Sequence, residues 1–268
     1  MQITRRPAPF VITSSGHGTL IVNRNDYRLL APDRGFGVGY QLLNTSYFDP
    51  EEVDLAVSLL RLRRKYFGNS VIAIDCGANI GVHTIEWAKS MYGWGEVIAI
   101  EAQERLYYAL AGNIAINNCF NAVALHAAVG ATCGQISVPV PNYMLPSSFG
   151  SLELRKRDNN EYIGQIIDYS SSKTQAIRML SIDSFNASRL DFVKIDVEGM
   201  ELEVLEGARN SIERQRPVLL IESIKVDNTE LSRILRGAGY RTFALGINIL
   251  ALHESDPCLR EVRVQAAA

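Results

Sequence analysis

Residues 71–83 read Val71-Ile-Ala-Ile-Asp75-Cys-Gly77-Ala-Asn79-Ile-Gly81-Val-His83. A short apolar run ends in an acid, passes through a glycine-rich turn and enters an amphipathic segment. That succession predicts a buried strand, a tight turn and a helix. Gly77 suits a close backbone approach, and Gly81 suits tight packing of the helix. A dinucleotide fingerprint would place glycine where Asn79 stands. Asp75 at the strand end would repel a pyrophosphate but suits a cationic ligand.

Downstream, short apolar runs recur at Val97–Ile100, Ala122–Leu125, Phe192–Val197 and Val218–Ile221. Amphipathic stretches such as Arg105–Asn117 and Met200–Arg209 lie between them. Strands alternating with helices predict an α/β, Rossmann-like fold with a mostly parallel sheet. Tyr240–Leu245 and Ile249–His253, joined through Gly246, predict a closing antiparallel hairpin at one edge. Residues 131–181 break this rhythm. They hold Pro139, Pro141 and Pro146, a serine cluster, and extended stretches at Gln135–Val140, Gly164–Tyr169 and Thr174–Leu180, so they read as a β-rich insertion.

Upstream, Gly18–Leu30 reads as a hairpin turning at Asn23–Asp26. Gly35, Gly37 and Gly39 follow in a GFGVG stretch that reads as a flexible connector. Asp49 as cap, Pro50 at the first helical position and Glu52 three residues after the cap predict a helix start with a capping box. That helix ends in Arg61, Arg63, Arg64 and Lys65, favourable charge for a helix C-terminus. The expected organisation is an N-terminal extension over 1–70, with a small hairpin and a helix, and a cofactor-binding domain over 71–268.

The chain has 268 residues, 47% hydrophobic and 21% charged, with a formal net charge of −2. This is an ordinary globular balance, and no basic stripe with interleaved aromatics marks a nucleic-acid binder. Met1–Phe10 carries Arg5 and Arg6 and then Pro7 and Pro9, without a signal-peptide core. No apolar run reaches the ~20 residues of a membrane span. Cys76, Cys119, Cys133 and Cys258 are scattered and lack zinc spacing, so reduced thiols and a cytoplasmic location are expected.

Three acidic strand ends carry the chemistry. Glu101 closes Val97-Ile-Ala-Ile-Glu101 and lies twenty residues after Gly81, where an acid can accept both hydroxyls of a ribose. Asp75, the Asn79-containing turn and Glu101 together favour an adenosine ligand without phosphates. Asp191-Phe-Val-Lys194-Ile-Asp196-Val-Glu198-Gly199 places Lys194, Asp196 and Glu198 on one face if the strand runs through them. Buried charges at the C-terminal end of such a strand normally meet a ligand. Glu222 ends the next strand and can face the same cleft.

The chain resembles the FkbM-type S-adenosylmethionine (SAM) methyltransferases over roughly Val71 to Tyr240. The resemblance rests on DCGANIGVHT (75–84), VIAIEA (97–102), FVKIDVEGMELEVLEGA (192–208) and PVLLIE (217–222), the third being the most specific. It implies a class I methyltransferase fold, SAM as cofactor, and O-methylation of a hydroxyl on a sugar, glycan or small metabolite. It also implies that Asp75, Gly77, Asn79 and Gly81 line the methionine part of SAM, that Glu101 holds the ribose, and that Asp196 sits beside the reactive methyl. Ala78 and Ala102 are counted with the cofactor contacts.

A general base would help a hydroxyl acceptor. Asp196 is the first choice, with Glu198, Glu222 and His83 in reserve. Asp196 with Glu222 could instead hold Mg²⁺, but no full ligand set is legible and no metal is assigned. The first 70 residues, outside the resemblance, are open to shaping substrate choice or a homodimer contact. The readings that compete are a dinucleotide oxidoreductase and a non-catalytic SAM-binding protein.

Overall fold

The computed structural model describes residues 8–31 and 34–261; Arg5 and Arg6 lie outside them. In chain order the strands are β1 (Phe10–Ser15), β2 (Gly18–Asn23), β3 (Arg28–Ala31), β4 (Arg34–Phe36), β5 (Val71–Cys76), β6 (Gly95–Glu101), β7 (Ala122–His126), β8 (Ala128–Val129), β9 (Gly134–Pro139), β10 (Thr174–Leu180), β11 (Phe192–Ile195), β12 (Val218–Glu222), β13 (Tyr240–Leu245) and β14 (Asn248–His253). The α-helices are α1 (Val38–Thr45), α2 (Pro50–Phe67), α3 (Val82–Ser90), α4 (Glu104–Ile116), α5 (Glu201–Glu206), α6 (Arg209–Gln215) and α7 (Asn228–Gly237).

The central sheet runs β13-β14-β12-β11-β5-β6-β7. The pairs from β12 through β7 are parallel, while β14 is antiparallel to both β12 and β13. Short apolar strands can be buried on both faces because helices cover both. Val71, Ala73, Phe192, Val218 and Leu220 pack on one face with Trp87 of α3 and Leu60 of α2. Ile74, Val193, Ile195 and Leu219 pack on the other with Val204 of α5 and Leu231 of α7. Strand order reverses between β5 and β11, since the chain leaves β5 for β6 and β7 on one side and later fills the other. In open α/β sheets a crevice forms at such a switch point, beyond the C-terminal strand ends.

Asp191 opens β11 in the core and is fully buried. It accepts bonds from Arg63 Nε (3.2 Å), Arg189 Nε (2.7 Å) and the Ile72 amide (3.0 Å). Arg63 also reaches Asp256 (2.6 Å). The arginine read as a helix-end charge is therefore a buried tie between α2, the sheet and the C-terminal segment.

The N-terminal hairpins pair differently from the sequence expectation. β2 pairs with β1 through a turn at Gly16–His17, and β3 pairs with β4. Asn23–Asp26 links the two hairpins instead of closing one. Its Asp26 accepts the amides of Gly39 (2.9 Å) and Phe149 (3.0 Å), and burial pushes its carboxyl up to about 6 against those bonds. GFGVG is correspondingly no loose connector. It ends β4 and starts α1, and a Cβ on Gly39 would lie 2.3 Å from the Asn23 carbonyl.

β2 docks on α4 through two amides one helical turn apart. Asn113 accepts the Ile21 amide (2.6 Å) and donates to the Ile21 and Ile80 carbonyls; Asn117 accepts the Thr19 amide (3.2 Å) and donates to its carbonyl. These side chains satisfy a strand edge that would otherwise be bare. Asn113→Ala is expected to cost about 2 kcal/mol, because buried backbone groups lose their partners. A urea melt with unchanged slope and a lower midpoint would show it.

In the insertion, β9 pairs antiparallel and β8 parallel with β10. Gly164–Tyr169 forms no strand. It is irregular chain, with the neighbouring Ile163 carbonyl accepting the Ser148 amide (2.7 Å). The expected Met200–Arg209 helix divides into α5 and α6 at Gly207, whose Cβ would lie 2.2 Å from the Gly130 carbonyl.

Candidate active site

Register brings the acids together before any ligand is considered. Asp75 of β5 lies opposite Lys194 of β11, and Glu222 of β12 lies opposite Asn248 of β14. Alternation puts Asp75, Lys194 and Glu222 on the sheet face covered by α2 and α3, at or near the C-terminal ends of three adjacent strands. Glu101 ends β6 in phase with Val97 on that same face.

A cavity of about 320 Å³ opens there, large enough for a small-molecule site. Asp75, Gly77, Ala78, Asn79, Glu101, Ala102, Asp196, Glu198, Glu222 and His83 all line it. Gly81 does not. Its α-carbon turns toward α4, where a Cβ would lie 2.5 Å from Leu110 Cδ1. Gly77 has φ +80, and a Cβ on it would lie 1.7 Å from the Asp196 carbonyl, so this glycine lets β5 and the end of β11 close on each other.

Glu101 Oε2 accepts the Asn79 amide (2.8 Å) and Oε1 the Gln103 amide (2.7 Å). Burial nevertheless pushes its carboxyl up to about 7. Asp75 Oδ2 accepts the Thr84 hydroxyl (2.7 Å), while its buried Oδ1 has no partner.

Lys194, buried, donates to Asp196 Oδ2 at 2.6 Å. Burial opposes its charge, but Asp196, Asp75 and Glu52 outweigh that and hold the ammonium above its ordinary value. The strand ends at Ile195, so Glu198 does not continue the face of Lys194 as the sequence reading had it. A turn with φ +55 at Glu198 carries it into the cavity, and Glu201 Oε1 fixes that turn by accepting the amides of Val197 (3.2 Å) and Gly199 (3.0 Å).

Glu198 pairs with Lys225, which also reaches Glu161 (3.1 Å) and the Ser151 carbonyl (3.0 Å) of the insertion. Burial, then the charges of Glu222 and Asp196, raise Glu198 well above the carboxylate range. Burial, then Asp196, push Glu222 up to about 8, and its buried Oε2 has no hydrogen-bond partner.

The sequence reading missed Glu52. Its capping box does not form, because Asp49 is left-handed and makes no side-chain cap bond. Glu52 instead turns into the cavity, 3.2 Å from His83 Nε2 and bonded to Asn248. Burial opposes ionisation of Glu52, but His83, Lys194 and Asn248 outweigh it and keep its carboxyl low. His83 meets Phe48 and Trp87 edge-on. Phe36, Gly37 and Val38 also line the cavity, and only the glycine spacing hinted at them.

The donor set fits a cationic, phosphate-free ligand. Two buried carboxylate oxygens of the cavity, Asp75 Oδ1 and Glu222 Oε2, lack partners, and acids stand at the ends of β5, β6 and β12 where a pyrophosphate would need amides. Asp196, Glu198 and Glu222 each offer an oxygen, all within 4.8 Å of one another. Among the described residues no helix is long and apolar enough to cross a membrane. All four cysteines are free thiols, with Cys133 exposed.

Comparison with known proteins points to one family. The methyltransferase FkbM domain family matches residues 75–242, more than half of the chain. Methyltransferase sdnD of Sordaria araneosa is 26% identical over 157 residues, which cover 50% of this chain and 59% of that protein. The solved methyltransferase FkbM of Methylobacillus flagellatus KT is 20% identical with a TM-score of 0.47, over 80% of this chain and 53% of that one. A SAM-dependent methyltransferase of Aquifex aeolicus is 15% identical with a TM-score of 0.37, over 77% and 97%. The chain thus spans little more than half the length of the first two. The sheet order, the acid-ended crevice and the match across 75–242 lead to one assignment: the chain belongs to the FkbM methyltransferase family, with a Rossmann-like class I fold and SAM as its cofactor.

Proposed function

We propose that the protein methylates a hydroxyl oxygen on a sugar, glycan or small metabolite, in the cavity at the ends of β5, β6, β11 and β12. When bound, SAM supplies a methyl group already activated on a sulfonium, so the protein's work is positioning and proton removal. Glu101 would take the ribose hydroxyls with the lone pairs its two amide bonds leave. Asp75 Oδ1 would take the ammonium of the methionine part, beside Gly77, Ala78 and Asn79, with Ala102 on the adenosine side. The acceptor then enters from the side of Glu52, His83 and Phe48.

One observation carries the assignment of the base: Glu222 is buried, has a free oxygen, and sits near 8. A carboxylate with that basicity can accept a hydroxyl proton as the oxygen attacks. Asp196, the first choice from sequence, has one oxygen engaged by the Lys194 ammonium. His83 faces Glu52, which suits positioning of the acceptor.

Methyl-labelled SAM incubated with the protein and a cell extract, with mass spectrometry of the labelled product, tests this reading. A methyl ether on a hydroxyl-bearing molecule is expected. Label on nitrogen or sulfur, or no label at all, contradicts it.

A further inference from the structure

We propose that Asp196, Glu198 and Glu222 form a binding site for one divalent cation of the hard, oxygen-seeking class (Mg²⁺, Mn²⁺ or Ca²⁺), next to the acceptor. The proposal rests on reading this cavity as the methyl-transfer site. It departs from the sequence expectation of no metal, where only Asp196 and Glu222 were in view. The turn at Glu198 supplies the third ligand.

The geometry comes first. One oxygen from each acid lies within 4.8 Å of the other two. Two ligands of one Ca²⁺ ion stand at most ~4.8 Å apart, and two of one Mg²⁺ ion at most ~4.2 Å, so the upper bound of this spacing is that of oxygens sharing one Ca²⁺-sized ion. Lys194 engages Oδ2 of Asp196 and Lys225 engages Oε2 of Glu198, so each lysine occupies one oxygen of its acid and leaves the other.

The second observation is independent of that spacing. Glu222 is 7% exposed, and its Oε2 is buried with no hydrogen-bond partner. A buried polar atom in such a state marks a missing partner. The charge balance points the same way. Eight carboxylates line the cavity, at Asp49, Glu52, Asp75, Glu101, Glu161, Asp196, Glu198 and Glu222. Lys194 and Lys225 offset two of them, and SAM brings one net positive charge. A dication offsets two of those that remain, and the donor set is all oxygen, as hard cations require.

With the cation in place, Glu222 would act as a ligand, and the cation would supply the acidification of a hydroxyl bound beside it. Without it, Glu222 takes the proton.

The test uses the full chain, stripped with EDTA and desalted. Mn²⁺ is titrated in and free Mn²⁺ is read by electron paramagnetic resonance, with S-adenosylhomocysteine binding measured in parallel by calorimetry. The expected result is one Mn²⁺ per chain, bound more tightly than about 1 mM and displaced by Mg²⁺ or Ca²⁺. Glu222→Gln and Glu198→Gln should each weaken it at least about tenfold while melting cooperatively, and the exposed Glu230→Gln should not. Wild-type protein that leaves Mn²⁺ free, or variants that bind it equally well, overturn the proposal. Uptake of an organic amine at these acids in place of Mn²⁺ overturns it too. If Mn²⁺ binds but S-adenosylhomocysteine does not, the cation site stands and the methyl-transfer reading falls.

Discussion

In EDTA, Glu222→Gln is expected to lower the methyl-transfer rate by a factor on the order of 10²–10⁴, with little change in S-adenosylhomocysteine affinity. The size follows from what the substitution removes. Gln keeps the shape of the side chain and can still pack at the end of β12, but it cannot accept a proton. A pH profile separates this role from a structural one. The working form of Glu222 is the carboxylate, and burial with Asp196 alongside holds its pKa near 8. In EDTA, the single-turnover rate therefore rises as pH rises through about 8, well above the usual carboxylate range. Glu222→Gln loses that rise. A variant as fast as wild type, or a profile already flat from pH 6, would remove Glu222 from the mechanism.

The second large effect is on the frame that holds the acids. Gly77→Ala is expected to cost about 3–5 kcal/mol. Part is the left-handed conformation at φ +80, about 1–2 kcal/mol for a residue with a Cβ. The rest is overlap, because the new Cβ would lie 1.7 Å from the Asp196 carbonyl and β5 would have to part from the end of β11. At ~2–4 °C per kcal/mol for a chain of this size, Tm falls by roughly 10 °C. Gly93→Ala isolates the first contribution. Its φ is +76, but nothing lies within 4 Å of the added Cβ. It should lose only a few degrees, and equal losses in the two variants would show that the approach of Asp196 does not matter.

The parallel core was legible because its signal is local. Val71–Cys76, Gly95–Glu101 and Val218–Glu222 announce themselves as apolar runs ended by an acid or a glycine turn, and the structure moves their limits by only a residue or two. Most of the acids around the cavity were legible for the same reason, since strand-end acids in adjacent parallel strands must meet. What failed were assignments that depend on distant partners. Glu52 sits at a capping-box position, yet the left-handed turn at Asp49 and the pull of His83, Lys194 and Asn248 send it elsewhere. Asn23–Asp26 has turn composition, but Asp26 is spent on the amides of Gly39 and Phe149. Glu198 was placed by strand alternation, whereas Glu201, three residues on, folds the chain out of the strand. Spacing along the chain carries none of this.

The central claim is that the crevice at Asp75 and Glu101 holds a cationic, phosphate-free adenosine ligand. Calorimetry of S-adenosylhomocysteine against wild-type protein, Glu101→Gln and Asp75→Asn, with NAD as a parallel titrant, tests it most directly. The account predicts one site per chain for S-adenosylhomocysteine, an affinity about tenfold or more weaker in each variant, and no heat from NAD. Binding that ignores both substitutions, or heat from NAD with none from S-adenosylhomocysteine, would contradict it.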